Sequence, residues 1–315
     1  MSLRVACQMD PISKISIARD STFAILLEAQ RRGHDIFYYI PSDLTLDGDL
    51  LVADGYSIRV QDKPEDCYAL GDKKTLNLAQ FDVVLLRQDP PFDMAYITTT
   101  YLLERIHPKT LVINDPSHVR NAPEKLFVLD FLDLMPATII TQNSSHIRCF
   151  RERYGDIIIK PLYGNGGTGV FHLRPDDKNL NSLIEMFQLL SDEPFITQQY
   201  CHEVGQGDKR IILVDGKVAG AINRIHSVGE VRSNMHVGGH VEHAELTVRD
   251  HEICNRLGPE LRKRGLLFTG IDVIGPYLTE INVTSPTGIR EIMAFTGIDV
   301  ASFIWDAIES KLTTT

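Results

Sequence analysis

The stretch that decides the fold is LTEINVT, at residues 278–284. Glu280 and Asn282 lie two residues apart on a predicted strand, so their side chains share one face. A carboxylate and an amide carbonyl are hard oxygen ligands of the kind that Mg²⁺ requires, with nucleotide phosphates filling the remaining positions. The stretch therefore predicts a magnesium site. The alternative is a pair of exposed polar residues on an edge strand.

A predicted hairpin brings a third oxygen ligand towards this pair. The preceding strand, residues 268–274, carries Asp272. A two-residue turn at Gly275-Pro276 would place Asp272 opposite Thr279, on the wrong face. A three-residue loop would place it opposite Glu280 instead. The prediction that Asp272 joins the metal site therefore requires the longer loop.

A glycine-rich run, YGNGGTG at residues 163–169, lies between two predicted strands. Glycines let backbone N–H groups approach phosphate oxygens closely. The run is neither a lysine-containing P-loop, because no Gly-Lys-Ser/Thr follows, nor a dinucleotide fingerprint, because no helix opens after it. It predicts a phosphate-binding loop or, alternatively, a tight hairpin loop. The candidate residues are Gly164, Gly166, Gly167 and Gly169.

Several cations lie near these elements. Lys160 ends an apolar strand directly before the glycine-rich run, where it can hold a phosphate unless it is a solvated strand end. Lys125 is a second candidate, with an ordinary helix-surface lysine as the alternative. Guanidinium groups grip carboxylates and phosphates bidentately. That property makes candidates of four arginines: Arg210, Arg224, Arg232 and Arg290.

Residues 226–243 are polar and rich in glycine and histidine. The stretch is long for an unstructured connection, which predicts a mobile functional loop that closes over the site. We interpret its histidines, His236, His240 and His243, as part of a solvated loop rather than a metal cluster, because no other ligands accompany them.

Composition excludes several classes of function. The chain has 315 residues, enough for two domains, and a formal net charge of -10, which argues against general nucleic-acid binding. Five scattered cysteines suit a reducing cytoplasm better than a disulfide framework. We find no signal peptide and no apolar run of membrane-spanning length. We therefore expect a cytoplasmic protein without membrane or nucleic-acid partners.

The first third of the chain alternates strand-like and helix-like segments, which is typical of α/β domains with a largely parallel sheet. One helix is predicted from Ser21 to about Arg32, with Asp20 as its N-cap. Residues 44–80 are predicted to form short strands and polar turns. A domain boundary is expected near Asn121, before a helix that begins at about Pro123.

The remainder reads as α+β. Asp215-Gly216 is a strong turn signal between two apolar runs, residues 210–214 and 217–222, and predicts a hairpin. Helices are predicted over residues 247–264 and 300–312.

Together these segments resemble the ATP-grasp superfamily and, within it, the bacterial glutathione synthetase family. The resemblance runs through the whole chain. Two strings are highly specific in combination, RQDPPFD at residues 87–93 and EINVTSPT at residues 280–287. Further segments that carry it are MDP at 9–11, DSTF at 20–23, LEAQRRG at 27–33, EKLF at 124–127 and GDKR at 207–210.

The resemblance implies an N-terminal substrate-binding domain, residues 1–121, followed by an ATP-grasp domain, residues 122–315. It implies that γ-glutamylcysteine and glycine are condensed to glutathione with cleavage of ATP to ADP and phosphate, through an acyl phosphate, with Mg²⁺ or Mn²⁺ as the cation. It also implies a homo-oligomer, expected to be a tetramer.

The resemblance further assigns roles to individual residues. Lys125, Lys160 and the glycine loop would bind ATP phosphates, Asp208 would hold the ribose, and Asp272, Glu280 and Asn282 would ligate the metal. The adenine would lie along Gln198, Gln199, Tyr200 and Cys201. Arg210 and Arg224 would stabilise the transferring phosphoryl group and the acyl phosphate. Arg232, in the closing loop, is a further catalytic candidate that could reach an anionic intermediate when the loop closes. Substrate contacts are expected from Asp20, Arg87, Asp89, Ser285 and Arg290.

Two other functions remain open at this point. One is an ATP-grasp ligase of different specificity, such as a D-alanine–D-alanine ligase or a glutamate-adding enzyme. The other is a nucleotide-binding regulator without turnover.

Overall fold

Three β-sheets flanked by α-helices follow one another along the chain. A computed structural model describes residues 2–164, 166–225 and 240–314. Within these ranges, no helix is both long and apolar enough to cross a membrane.

The first sheet has seven strands in the order β3-β4-β2-β1-β6-β7, with β5 paired to β4. The strands are β1 Arg4–Met9, β2 Asp35–Tyr39, β3 Leu44–Asp47, β4 Leu50–Val60, β5 Tyr68–Asn77, β6 Val83–Arg87 and β7 Leu111–Ile113. Strands β2, β1, β6 and β7 are parallel, as the strand–helix alternation predicted. Helices α1 Ser21–Arg31, α2 Met94–Glu104 and α3 Pro116–Arg120 accompany them. The Asp20 carboxylate accepts a hydrogen bond from Phe23 N at 2.6 Å, which confirms the predicted N-cap of α1.

The prediction for residues 44–80 was wrong in one respect. Instead of short strands and turns, β4 and β5 form a long antiparallel hairpin at the edge of the sheet. Most side chains of β5 are exposed on both faces. A strand with no buried face shows no apolar alternation, so its sequence lacks the usual strand pattern.

The second sheet is small and has the order β10-β9-β11-β8. It contains β8 Thr138–Thr141, β9 Ile157–Pro161, β10 Phe171–Leu173 and β11 Phe195–Gln199, with α4 Ser144–Tyr154 and α5 Leu180–Leu190 against it. These elements bury a core of their own, which includes Phe150, Ile159 and Phe187. The helix predicted from Pro123 is instead a turn followed by a 3₁₀ helix, Phe127–Leu134, interrupted by non-helical backbone at Phe131.

The third sheet has five strands in the order β14-β13-β12-β15-β16, and all neighbouring pairs are antiparallel. The strands are β12 Asp208–Val214, β13 Lys217–Ile225, β14 His240–His243, β15 Phe268–Ile274 and β16 Tyr277–Asn282. Helices α6 Val248–Lys263, α7 Ile289–Thr296 and α8 Val300–Thr314 accompany them. The hairpin predicted around Asp215-Gly216 is confirmed as β12–β13.

The first and third sheets share their cores. Ile211 and Leu213 of β12 pack in one apolar cluster with residues of the first sheet, while Ile212 and Val214 pack in a second. The alternation of side chains along a strand explains this division. The buried Trp305 of α8 also donates a hydrogen bond to Ile25 O in α1, at 2.9 Å. The third sheet is therefore anchored to the N-terminal part, and the second sheet stands apart with its own core.

Candidate active site

A cavity of about 420 Å³ lies between the second and third sheets, with the loops after β6 and β16 at one side. It gathers most of the predicted site residues. Those that line it are Asp89, Lys125, Lys160, Gly164, Gly166, Gly167, Gln198, Gln199, Tyr200, Cys201, Asp208, Arg210, Arg224, Asp272, Glu280, Asn282 and Ser285.

Charged side chains cross the third sheet in one row. Arg210 on β12 pairs directly with Asp272 on β15, and Asp272 pairs with Glu280 on β16. Asn282 lies two residues beyond Glu280 on the same face of the strand, and its amide donates to Asp272 Oδ2 at 3.4 Å. Two carboxylates and an amide therefore meet on the face that lines the cavity.

The register of the β15–β16 hairpin corrects our prediction of its loop. The turn is the two-residue Gly275-Pro276, because Ile274 pairs with Tyr277. Asp272 nevertheless faces Glu280, since the register shifts by one residue beside Thr279. A β-bulge inserts an extra residue into one strand of a pair. The prediction of a three-residue loop was wrong. The bulge, and not a longer loop, places Asp272 opposite Glu280.

Two arginines hold the carboxylate of Asp272. Arg210 binds it bidentately, with Nε to Oδ1 at 2.5 Å and Nη2 to Oδ2 at 3.0 Å. Arg224 Nη2 lies 2.9 Å from the same Oδ1 and donates to Asp208 Oδ2 at 2.6 Å. Burial alone would raise the pKa of Asp272, but the two guanidinium groups outweigh it and hold that pKa well below its usual range. Asp272 is therefore ionised at every physiological pH.

Two lysines face Glu280 from the opposite side. Lys160 Nζ lies 3.5 Å from Glu280 Oε1, and Lys125 Nζ lies 3.8 Å from the same oxygen. Lys125 also donates to the Gly164 carbonyl and pairs with Glu124. Burial opposes the charge of Lys125, but Glu280 and Glu124 raise its pKa above the usual value. Both lysines are therefore cavity groups, and the alternative of surface residues is wrong for them.

Glu124 is the residue that sequence reasoning missed. Its side chain lines the cavity beside Lys125, and its backbone carbonyl accepts a hydrogen bond from Ile281 N at 3.1 Å. Burial, followed by the charge of Glu280, raises the pKa of Glu124. The available signal was its position directly before Lys125, but acidic residues near a predicted helix start are common for other reasons.

The glycine-rich run joins β9 to β10, which pair as an antiparallel hairpin. Gly166 and Gly167 have φ values of +66° and +75°, a region that favours glycine. Gly169 does not line the cavity, although its φ of +73° and its closeness to Pro161 require glycine there as well. The loop is thus both a hairpin connection and part of the cavity wall.

The end of β11 forms another wall. Tyr200 donates its backbone N–H to Asp156 O at 3.0 Å, and its ring stacks on His172 with centroids 3.9 Å apart. Burial raises the pKa of the Cys201 thiol to about 11, so this cysteine stays neutral. Three hydrophobic side chains, Ile158, Val170 and Val204, complete a surface suited to a flat aromatic ring.

Three predicted substrate residues lie outside the cavity lining. Asp20 is the N-cap of α1, and Arg290 binds Asp62 bidentately at 2.9 and 3.0 Å. Arg87 is buried and donates to Thr22 Oγ1 at 2.9 Å and to Pro286 O at 3.1 Å, next to the cavity wall. Their substrate contacts stay predictions.

The predicted closing loop falls mostly outside the described residues. Arg232 and His236 are in that group. Of the segment 226–243, the structure describes only 240–243, which form β14 with exposed His240 and His243.

The amino-acid sequence is similar to known families and to individual proteins. The sequence matches two family models, described as the N-terminal domain of prokaryotic glutathione synthetase, over residues 3–120, and its ATP-grasp domain, over residues 124–297. A glutathione synthetase of Mesorhizobium japonicum is 58% identical over 311 residues, with 99% of each chain covered. One from Shewanella oneidensis is 43% identical, with 98% of this chain and 99% of that protein covered.

Solved structures share the fold at low sequence identity. D-cycloserine synthetase DcsG has a TM-score of 0.69 at 16% identity, with 98% of this chain and 99% of that chain covered. The ATP-grasp ligase PsnB, complexed with a precursor peptide and AMPPNP, has a TM-score of 0.62 at 18% identity and 98% coverage of both chains. The predicted ATP-grasp fold is confirmed. The chain belongs to the prokaryotic glutathione synthetase family, whose N-terminal and ATP-grasp domains it carries in sequence.

Proposed function

We propose that the cavity is the site of ATP-dependent glutathione synthesis, in which γ-glutamylcysteine is activated as an acyl phosphate and joined to glycine. Membership of the family supports an ATP-dependent ligase. The observation that carries the assignment to this cavity is the meeting of two lysines and a glycine loop with the Asp272–Glu280–Asn282 face.

The charges of the cavity suit this reaction. A carboxylate is a poor acyl acceptor at neutral pH, and phosphorylation gives it a good leaving group. Phosphoryl transfer needs neutralisation of phosphate charge and an in-line arrangement of the reactants. Lys125 and Lys160 would bind the phosphates from one side, with N–H groups of the glycine loop above them. Arg210 and Arg224 would stabilise the transferring phosphoryl group and the acyl phosphate from the third sheet.

The donor set fits magnesium, and manganese for the same reason. Glu280, Asn282 and Asp272 present oxygen atoms on one face, and nucleotide phosphates would complete the coordination. A divalent cation bound there would neutralise charge on the phosphate oxygens. Glu280 is the foremost ligand of the three, because both oxygens of Asp272 accept hydrogen bonds from Arg210, whereas the lysines lie at 3.5 and 3.8 Å from only one oxygen of Glu280.

The remaining assignments belong to the same proposal. The adenine would lie along residues 198–201 and the ribose near Asp208. Asp89 and Ser285 line the cavity and would contact γ-glutamylcysteine or glycine. Arg87, Asp20 and Arg290 are kept as further candidates for substrate contacts, although they lie outside the cavity lining. The division into residues 1–121 and 122–315 is supported by the two family models, which meet between residues 120 and 124. We also propose that the protein is cytoplasmic and forms a homo-tetramer. Sedimentation velocity would test the tetramer.

The decisive assay measures ADP and glutathione with each substrate omitted in turn. Formation of both products only when γ-glutamylcysteine, glycine and Mg·ATP are all present supports the proposal. Equal turnover with D-alanine or glutamate as the acceptor would indicate a ligase of other specificity, and absence of turnover with every acceptor would indicate a regulator.

The assignment of Glu280 has its own test. Glu280→Gln removes a charged metal ligand without changing its size, so Mg²⁺-dependent turnover should fall about tenfold or more. The matched control is Glu260→Gln on α6, where the carboxylate pairs with Arg264 away from the cavity. An unchanged rate and unchanged magnesium dependence in Glu280→Gln would refute the assignment.

A further inference from the structure

The two carboxylates proposed to bind the metal, Asp272 and Glu280, already contact cationic side chains of the same cavity. Both oxygens of Asp272 accept hydrogen bonds from Arg210, and Arg224 lies against one of them. Glu280 Oε1 has two ammonium groups within 4 Å, those of Lys160 and Lys125. These are the groups that the proposed function assigns to the phosphates.

This arrangement means that the lysines cannot neutralise Glu280 while that carboxylate binds a divalent cation. An ammonium group that neutralises Glu280 repels a divalent cation at the same carboxylate. The side chains are also confined: Lys160 and Lys125 are 7% and 6% exposed, so solvent screens this repulsion weakly. Phosphate oxygens offer the lysines a partner with more negative charge than one carboxylate.

We propose, on the basis of the function assigned to the cavity, that Lys125 and Lys160 act as an ionic gate on the metal site. Without nucleotide they neutralise Glu280 and keep a divalent cation from binding. When triphosphate enters, its oxygens draw the ammonium groups away and free Glu280, so the cation binds together with the nucleotide. Asp272 keeps its arginines throughout and contributes less to the gating.

The gate has a consequence that a simple phosphate-binding role lacks. Removal of a lysine should strengthen the binding of a divalent cation to the nucleotide-free protein, although the same change weakens nucleotide binding. Lys160 is the better position for this test, because Lys125 also supports Glu124 and Gly164.

The experiment titrates Mn²⁺ into the nucleotide-free, full-length protein and follows free Mn²⁺ by electron paramagnetic resonance. Wild-type protein should bind Mn²⁺ at this site weakly without nucleotide. With a non-hydrolysable ATP analogue it should bind more Mn²⁺ than the same concentration of analogue binds in protein-free solution. Lys160→Met, which keeps an unbranched side chain and removes the charge, should tighten nucleotide-free Mn²⁺ binding about tenfold or more. The control Lys217→Ala, an exposed lysine at the start of β13, should match the wild type.

A second variant locates the effect. Adding Glu280→Gln to Lys160→Met should abolish the gained binding if Glu280 is the ligand that was released. Unchanged or weaker Mn²⁺ binding in folded Lys160→Met, or wild-type protein that binds Mn²⁺ equally well with and without nucleotide, would overturn the gate. Either result alongside normal glutathione synthesis would leave the proposed function standing, whereas loss of the ligase reaction in wild-type protein would refute that function itself.

Discussion

Replacing Asp272 by asparagine should destabilise the protein strongly, because two buried arginines depend on its charge. The side chain accepts from three guanidinium nitrogen atoms at 2.5, 2.9 and 3.0 Å, and the residue is 4% exposed. Arg224 would keep the carboxylate of Asp208, but Arg210 would keep only uncharged acceptors, the new amide oxygen and the carbonyl of Thr287 at 3.4 Å. Leaving one buried ion without its partner costs about 3–5 kcal/mol, and we expect a loss of that size.

Asp62→Asn is the matched control, because Asp62 binds Arg290 with the same bidentate geometry at 2.9 and 3.0 Å. The Asp62 side chain is 58% exposed, so solvent screens the ion pair. The unfolding free energy should therefore fall by only about 0.2–1 kcal/mol. Urea unfolding can be followed by the fluorescence of Trp305, the single tryptophan of the chain, and by circular dichroism. Equal losses of unfolding free energy in the two variants would show that the buried arginines do not depend on the charge of Asp272.

The pH dependence of this loss follows from the sign of the shift. The folded-state pKa of Asp272 lies below the unfolded value near 3.8, so its stabilising contribution is fully present above that value. It is lost only as pH falls through the folded pKa. The difference between wild type and Asp272→Asn should therefore be constant between about pH 5 and pH 8 and shrink in strong acid.

Two further predictions concern the nucleotide site and the backbone beside it. Lys125→Ala and Lys160→Ala should each weaken binding of a non-hydrolysable ATP analogue about tenfold or more in calorimetric titration, while Lys217→Ala should not, and wild-type affinity in both would exclude them as phosphate ligands. Gly207→Ala should lower the unfolding free energy by about 1–3 kcal/mol, because φ is +116° and a Cβ would collide with the Asn223 side chain. Gly205→Ala, where a Cβ meets nothing within 4 Å, should cause no loss, and equal effects at both positions would contradict this.

The parts of the fold that follow local rules were predictable. Asp20 caps α1, Asp215-Gly216 closes a hairpin, and the strands with a buried face show apolar runs or alternation. Strand β5 was not predictable in the same way. Most of its side chains are exposed, so its sequence shows no alternation of apolar and polar residues. The segment after Pro123 was also misassigned, since its apolar residues suit a helix while the backbone at Phe131 does not.

The candidate site was predictable as a set of residues but not as a set of contacts. The two-residue spacing of Glu280 and Asn282 places them on one face by geometry alone. The bulge beside Thr279 depends on how β15 pairs with β16, and the sequence of either strand alone does not predict it. The ion pairs of the site join residues that are far apart in the chain, so no local sequence pattern predicts them. They are the pairs of Arg210 and Arg224 with Asp272 and of Lys160 with Glu280.

The cysteinyl carboxylate of γ-glutamylcysteine should be phosphorylated in this cavity before glycine attacks. The most direct test starts from substrate labelled with oxygen-18 in that carboxylate and analyses the inorganic phosphate by mass spectrometry. If an acyl phosphate forms, its bridging oxygen leaves with the phosphate when the amine attacks the carbonyl carbon. One labelled oxygen is expected in the phosphate for each glutathione formed. Unlabelled phosphate released together with glutathione would contradict it.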